Sequence, residues 1–187
     1  MDPTGKGQAF DVQARAPALP DFRAIFEEQF AYVWNSLRHF GVRPSDLEDL
    51  AHEVFFRVHE RLPEYDPSRP LRPWLFAFAY RVAAAHRRLA RHRVEVFDAH
   101  ADAPDRGLPA DEAVMRRQDG ELAQRALEAV ELDRRAVFVL HELDEIAIPE
   151  VAEALGIPTA TAYSRLRLAR QEFNVAVKRL RLARGDR

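Results

Sequence analysis

Apolar residues recur at three- and four-residue steps through most of the chain. Phe22, Phe26, Phe30, Val33, Trp34 and Leu37 share one stripe of a helix, with Asp21 as its N-cap and Gly41 as its stop. A second helix is predicted from Ser45 to Leu62. Pro44 and Ser45 open it, and Glu48 stands three residues after Ser45 at the spacing of a capping box. Leu47, Leu50, Ala51, Val54, Val58 and Leu62 form its apolar stripe, and Glu48, Asp49, His52, Glu53, Arg57 and Glu60 fall largely off it. Pro63, Pro67, Pro70 and Pro73 punctuate a loop. A third helix is predicted from Pro73 to His92, with Trp74, Leu75, Phe78, Val82, Ala85 and Leu89 buried and Phe76 and Tyr80 more open.

The pattern breaks from Arg93 to Asp119 and resumes near Glu121 with Leu122, Ala126, Leu127 and Val130. Further helices are predicted at Arg135–Leu143, at Pro149–Leu155 and at Thr159–Ala183, the last with Ala162, Leu166, Ala169, Phe173, Val177 and Leu180 on one stripe. No period of two persists, and no internal repeat is evident, so the predicted fold is all-α. Its organisation is a loose tail at 1–20, a helical domain at 21–93, a linker at 94–119 and a second helical domain at 120–187. The tail holds Pro3, Gly5, Gly7, Pro17 and Pro20 and no sustained apolar period.

At 187 residues the chain has room for one large domain or two small ones. It has no cysteine, which excludes disulfides, thiolate metal sites and cysteine nucleophiles. Seven glycines without a glycine-rich loop weigh against dinucleotide and P-loop phosphate sites. No apolar run reaches the ~20 residues of a membrane span. The N-terminus lacks the basic and apolar regions of a signal peptide, so a cytoplasmic protein is expected.

The net charge of −2 conceals an uneven distribution. Between Asp98 and Glu112 five acids face one Arg106, giving a net of −4 that would keep a linker extended. From Arg81 to Arg93 there are five arginines and no acid, just after Trp74, Phe76, Phe78 and Tyr80. From Ile157 to the end eight basic residues face Glu172 and Asp186, a net of +6.

The strongest local signal is IPEVAEALGIPTATAYSRLRLAR, Ile148 to Arg170. A short helix, a glycine turn at Gly156 and a longer helix capped at Thr159 follow the helix-turn-helix plan. Thr161, Tyr163, Ser164, Arg165, Arg167 and Arg170 are the candidate DNA contacts of its second helix. Arginines there would neutralise phosphates and read guanine edges. Tyr80, Arg81, His86, Arg87, Arg88 and Arg91 form a second candidate set, where basic groups beside aromatics suit single-stranded or distorted nucleic acid. Glu48 and His52, four residues apart, reach one spot. No second carboxylate–histidine pair stands at matching spacing, so a solvated or protein-docking face is preferred to a metal site. No glycine-flanked serine, paired-acid site or lysine-bearing phosphate loop stands out, so no cofactor and no enzyme activity is expected.

These residues resemble bacterial RNA polymerase sigma factors of the sigma-70 family, in the two-domain extracytoplasmic-function (ECF) group. DLEDLAHEVFFRVHERL followed by RPWLFAFAYRVA is similar to the family's region two, and VAEALGIPTATAYSRLRLAR to its region four. The resemblance implies a promoter-specific initiation factor. Asp49, His52, Glu53 and Arg57 would dock on the β′ clamp helices of core RNA polymerase, and region four on the β flap. The third helix would hold the −10 promoter element as its strands separate, the helix-turn-helix would read the −35 element, and the acidic linker would thread toward the RNA path. An anti-sigma factor is a further partner the resemblance allows. Family members commonly carry Gln at the position of His52, Asn at that of Arg81 and Lys at that of Tyr163. The other readings weighed are a sigma mimic that sequesters an anti-sigma factor, a stand-alone helix-turn-helix repressor and a metal-dependent helical enzyme.

Overall fold

The helices form where apolar residues recur at helical spacing. They are α1 (Phe22–His39), α2 (Leu47–Arg61), α3 (Leu71–Val96), α4 (Asp111–Glu128), α5 (Leu132–Phe138), α6 (Ile148–Leu155) and α7 (Thr159–Arg184). The computed structural model describes residues 19–96 and 111–185, with side chains for 19–90 and 119–185. Among them no strand occurs, as an all-α fold requires. No helix among the described residues is long and apolar enough to cross a membrane.

Helices α1, α2 and α3 pack on one another, and α7 packs against α4, α5 and α6. Contacts of α3 with α6 and of α1 with α4 join the two groups. Val33, Leu37, Val54, Val58, Leu75, Phe76 and Val82 are fully buried in the first group, and Val130, Val137, Leu140 and Val151 in the second. Both sets belong to one continuous apolar cluster. A five-residue π turn, Val139–Leu143, follows α5 directly and leads to Glu145, the one non-glycine residue with positive φ among the described residues.

The local signals held unevenly. Asp21 caps α1, its carboxylate accepting from the Ala24 N–H at 3.3 Å. Gly41 (φ +77°) and Gly156 (φ +67°) both take the left-handed conformation that stops a helix without a Cβ clash. The expected capping box does not form. Pro44–Asp46 is a 3₁₀ turn, α2 begins at Leu47, and the Ser45 hydroxyl bonds Asp46 instead. Thr159 is the first residue of α7, and the cap position is held by Pro158 with no side-chain bond. Helix α3 continues to Val96 and α4 starts at Asp111, so both invade the stretch predicted as linker. Residues 97–110 and the tail through residue 18 lie outside the described residues.

Several burial expectations change, Trp74 and Ala85 of α3 among them, both of which are only half-buried. Phe76 is fully buried, its ring edge-on to Phe40 at 5.0 Å, because α3 is covered on more than one side. Leu89 is exposed, since α3 has by then passed beyond α1 and α2. In α1, Ile25, Val33 and Leu37 form the buried edge. Phe22, Phe26, Phe30 and Trp34 flank it half-buried, with Phe26 against Phe55 at 4.8 Å.

Candidate functional site

Helix α2 buries Leu50, Ala51, Val54 and Val58 and turns the opposite face to solvent. Asp49, His52 and Arg57 are exposed there, Glu53 is partly so, and Arg57 bridges Glu53 at 2.6 Å. Phe56 lies within this charged face and is 64% exposed. An exposed aromatic ringed by charge has the make-up of an interface anchor, and the expected contacts omitted it. Its signal was present in the sequence, since Phe56 falls off the Leu50–Val54–Val58 stripe. Among the described residues no cluster of three His, Asp or Glu is placed to hold a metal.

Helix α3 distributes its basic cluster over two faces. Arg81 and Arg88, seven residues apart, are exposed, and the Arg81 guanidinium lies 5.7 Å from the Phe78 ring. Tyr80 and Arg87, also seven apart, face the second helical group. His86 approaches Asp46 at 3.3 Å. Burial pushes the Asp46 carboxyl up, but Ser45, Arg43 and His86 together hold it below the usual carboxylate range. Arg91 lies on α3, beyond the described side chains.

The turn from α6 through Gly156 to α7 buries Ile148, Val151, Ala152, Ala162 and Leu166 and leaves the outer face of α7 open. Tyr163, at 58% exposure, Ser164 and Arg167 lie on that open face within little more than one turn, and Arg167 forms no ion pair among the described residues. Thr161 is half-buried. Arg170 is committed to Glu142 of the π turn at 2.6 Å. Arg165 points the other way, to Asp133 of α5 at 2.8 Å.

Asp133 therefore joins the two candidate DNA surfaces. Its Oδ1 accepts from the Tyr80 hydroxyl at 2.6 Å and its Oδ2 from Arg165. Burial and the Asp133 carboxylate push the Tyr80 hydroxyl's pKa up. Further contacts line the same seam. The Tyr32 hydroxyl donates to Asp144 at 2.6 Å, Arg72 stands 5.3 Å from the Tyr32 ring, and Arg69 bridges Glu153 at 2.7 Å.

Beside this seam lies Arg135, 1% exposed. Its guanidinium donates to the carbonyls of Glu128 at 2.5 Å, Val130 at 2.8 Å and His39 at 3.2 Å, so one side chain ties the end of α4 and the start of α5 to the end of α1. Burial and the neighbouring Arg87 cation lower its pKa to about 10, which leaves it charged at neutral pH. Helices α4 and α7 also frame a groove of about 520 Å³ lined by the apolar Ala129, Val175, Ala176 and Leu180 and by charges of both signs, Arg125, Arg179 and Glu172.

The comparisons agree with this layout. Residues 25–93 match the family model described as Sigma-70 region 2, and residues 120–173 that described as Sigma-70, region 4. The chain is 28% identical over 165 residues to the ECF RNA polymerase sigma factor SigL of Mycobacterium tuberculosis, spanning 87% of this chain and 92% of that protein. It is 29% identical over 146 residues to the RNA polymerase sigma factor NccH of Alcaligenes xylosoxydans xylosoxydans, spanning 75% of this chain and 78% of that one. In fold it is similar to the sigma factor RpoE of Bartonella quintana, solved in complex with the anti-sigma factor NepR. The TM-score is 0.69 at 18% identity over 84% of this chain and 97% of that chain. With two region matches in order, together covering about two thirds of its length, the chain belongs to the sigma-70 family of RNA polymerase sigma factors, in the ECF group.

Proposed function

We propose that the protein works as a two-domain initiation factor, with residues 21–93 docking on core polymerase and holding the −10 element and residues 120–187 reading the −35 element. The observation that carries this reading is the pair of separate outward faces. One is the acidic α2 face around Phe56, and the other is the Tyr163–Ser164–Arg167 face of the helix-turn-helix. Phe56 with Asp49, His52, Glu53 and Arg57 is suited to the β′ clamp helices. The α4–α7 groove, apolar between Arg125, Arg179 and Glu172, is suited to the β flap. Arg81 and Arg88, exposed beside Phe78, are suited to the phosphates of separating strands, and Tyr80, Arg87, His86 and Arg91 complete the −10 set once accessible. An anti-sigma factor, the partner RpoE was solved with, would compete for these surfaces.

Run-off transcription with purified core polymerase tests the reading. Adding the full chain is expected to move transcript starts to a small set of promoters. Unchanged starts would reject it. Within the holoenzyme, Arg167→Ala is expected to weaken −35 recognition by about 1–3 kcal/mol, the range for one base-reading arginine, with core binding intact. Loss of core binding instead would show that this face meets polymerase and not DNA.

A further inference from the structure

Arginines of α7 differ in what they face. Tyr163, Arg167 and Arg170 fall within about 60° of arc on a helix of 3.6 residues per turn, and all three are exposed. Arg165 lies on the opposite side, against Asp133. Arg170 is therefore on the open face of the helix-turn-helix, yet it is not a loose cation. Its Nε donates to Glu142 Oε1 at 2.7 Å, and its Nη2 stands 2.6 Å from the same oxygen. That contact takes the Nε–Nη2 edge of the guanidinium. It leaves available the Nη1–Nη2 edge, a fork that matches O6 and N7 of guanine. Glu142 itself is carried by a well-anchored element. It belongs to the π turn Val139–Leu143, in which Val139 and Leu140 are buried. The Asp144 N–H donates to the Val139 carbonyl at 3.1 Å and the Ile146 N–H to the Leu140 carbonyl at 3.0 Å, which fixes the backbone on either side of it. Single π turns are uncommon and concentrate at functional sites, and this one delivers a carboxylate to an arginine 28 residues further along the chain.

Resting on the functional reading above, we propose that Glu142 is a positioning residue that makes Arg170 a reader of the −35 element instead of a grip on its phosphates. Two effects act together. The carboxylate cancels the guanidinium charge, so the pair adds little to sequence-independent affinity, which comes from phosphate neutralisation. It also restricts a long side chain, so less rotamer entropy is lost when the free fork meets a base edge. The two side chains are 52% and 32% exposed, so the pair is worth no more than a surface contact to folding. Its consequence is for discrimination between DNA sequences.

The test uses holoenzyme assembled from core polymerase and the full chain. It compares a promoter found by run-off transcription with a copy whose −35 element is scrambled. Arg170→Ala is expected to lower the ratio of the two affinities about tenfold, the worth of a base-reading arginine. Glu142→Ala is expected to lower it about threefold, and to lower it no further in the Arg170→Ala background. On the scrambled duplex, Glu142→Ala should steepen the fall of log affinity with log salt by about 0.9, one added phosphate contact, while Arg170→Ala leaves that slope unchanged. A merely structural role would not move the slope, and removal of either part-exposed side chain is expected to leave core binding intact. An unchanged ratio in Glu142→Ala, the same loss with Arg170 already removed, or an unchanged slope would each overturn the assignment. Wild-type holoenzyme that binds both duplexes equally would overturn the functional reading and this inference with it, whereas discrimination retained by Glu142→Ala removes the role of Glu142 alone.

Discussion

Arg135→Ala is expected to lower the stability of the folded chain by about 3–5 kcal/mol, the largest effect of any single substitution considered. The loss has two parts. The carbonyls of Glu128, Val130 and His39 give up charge-assisted donors, and the buried Val130 carbonyl, left without that partner, carries a desolvation cost of about 1–3 kcal/mol, with smaller costs at the part-buried Glu128 and His39 carbonyls. The missing side chain, 1% exposed, also leaves a cavity between α1, α4 and α5. Arg135→Lys should recover only part of the loss, because a single ammonium cannot present a fork to three separate carbonyls. Urea unfolding followed by far-ultraviolet circular dichroism gives the measurement. A change below about 1 kcal/mol for the alanine variant would show that water or Arg87 takes over these carbonyls.

Phe56→Ala is expected to weaken binding to core polymerase by about 2–4 kcal/mol while leaving the fold unchanged. The side chain is 64% exposed in the free chain, so its removal opens no cavity and disturbs none of the Leu50–Val54–Val58 packing. In a complex the ring would be desolvated inside a rim formed by Asp49, His52, Glu53 and Arg57, and water exclusion by such a rim concentrates binding energy at the centre. Competition of the labelled wild-type chain with the variant for core polymerase reads the difference directly. An affinity within twofold of wild type would place polymerase elsewhere on the surface.

Most of the fold was legible because amphipathic helices announce themselves by period. Leu47, Leu50, Ala51, Val54 and Val58 of the α2 stripe and the Gly156 turn came out as predicted, since burial of those positions needs only a helix and one packed side, whereas Leu62 falls in the 3₁₀ turn after α2 and is half-buried. Start signals were less reliable. Ser45 and Glu48 have capping-box spacing, yet the preceding Pro44 favours a 3₁₀ turn that moves the helix start to Leu47. Asp111 and Glu112 counted toward an acidic linker, although acids also suit the first turn of a helix, where α4 places them. Arg135 was invisible as a core residue because arginine is ordinarily exposed, and its partners are backbone carbonyls that no side-chain pattern records. The candidate DNA residues were identified by charge and helical face, but their mutual distance was not. Asp133 is 53 residues from Tyr80 and 32 from Arg165, and pairings at that separation depend on how the two helical groups pack.

The π turn at Val139–Leu143 contains one residue more than an α-helical turn needs, and this surplus sets the rotational phase between α5 and the hairpin that follows. Deleting one residue there would swing everything downstream by about 100° and shift it by about 1.5 Å. Asp144 would leave Tyr32, Glu142 would leave Arg170, and α7 would present a different strip of its surface outward. Chain length at this point is therefore under tighter constraint than side-chain chemistry. The half-exposed Leu143 can be exchanged at little cost, whereas losing a single backbone unit misaligns the whole α6–α7 helix-turn-helix.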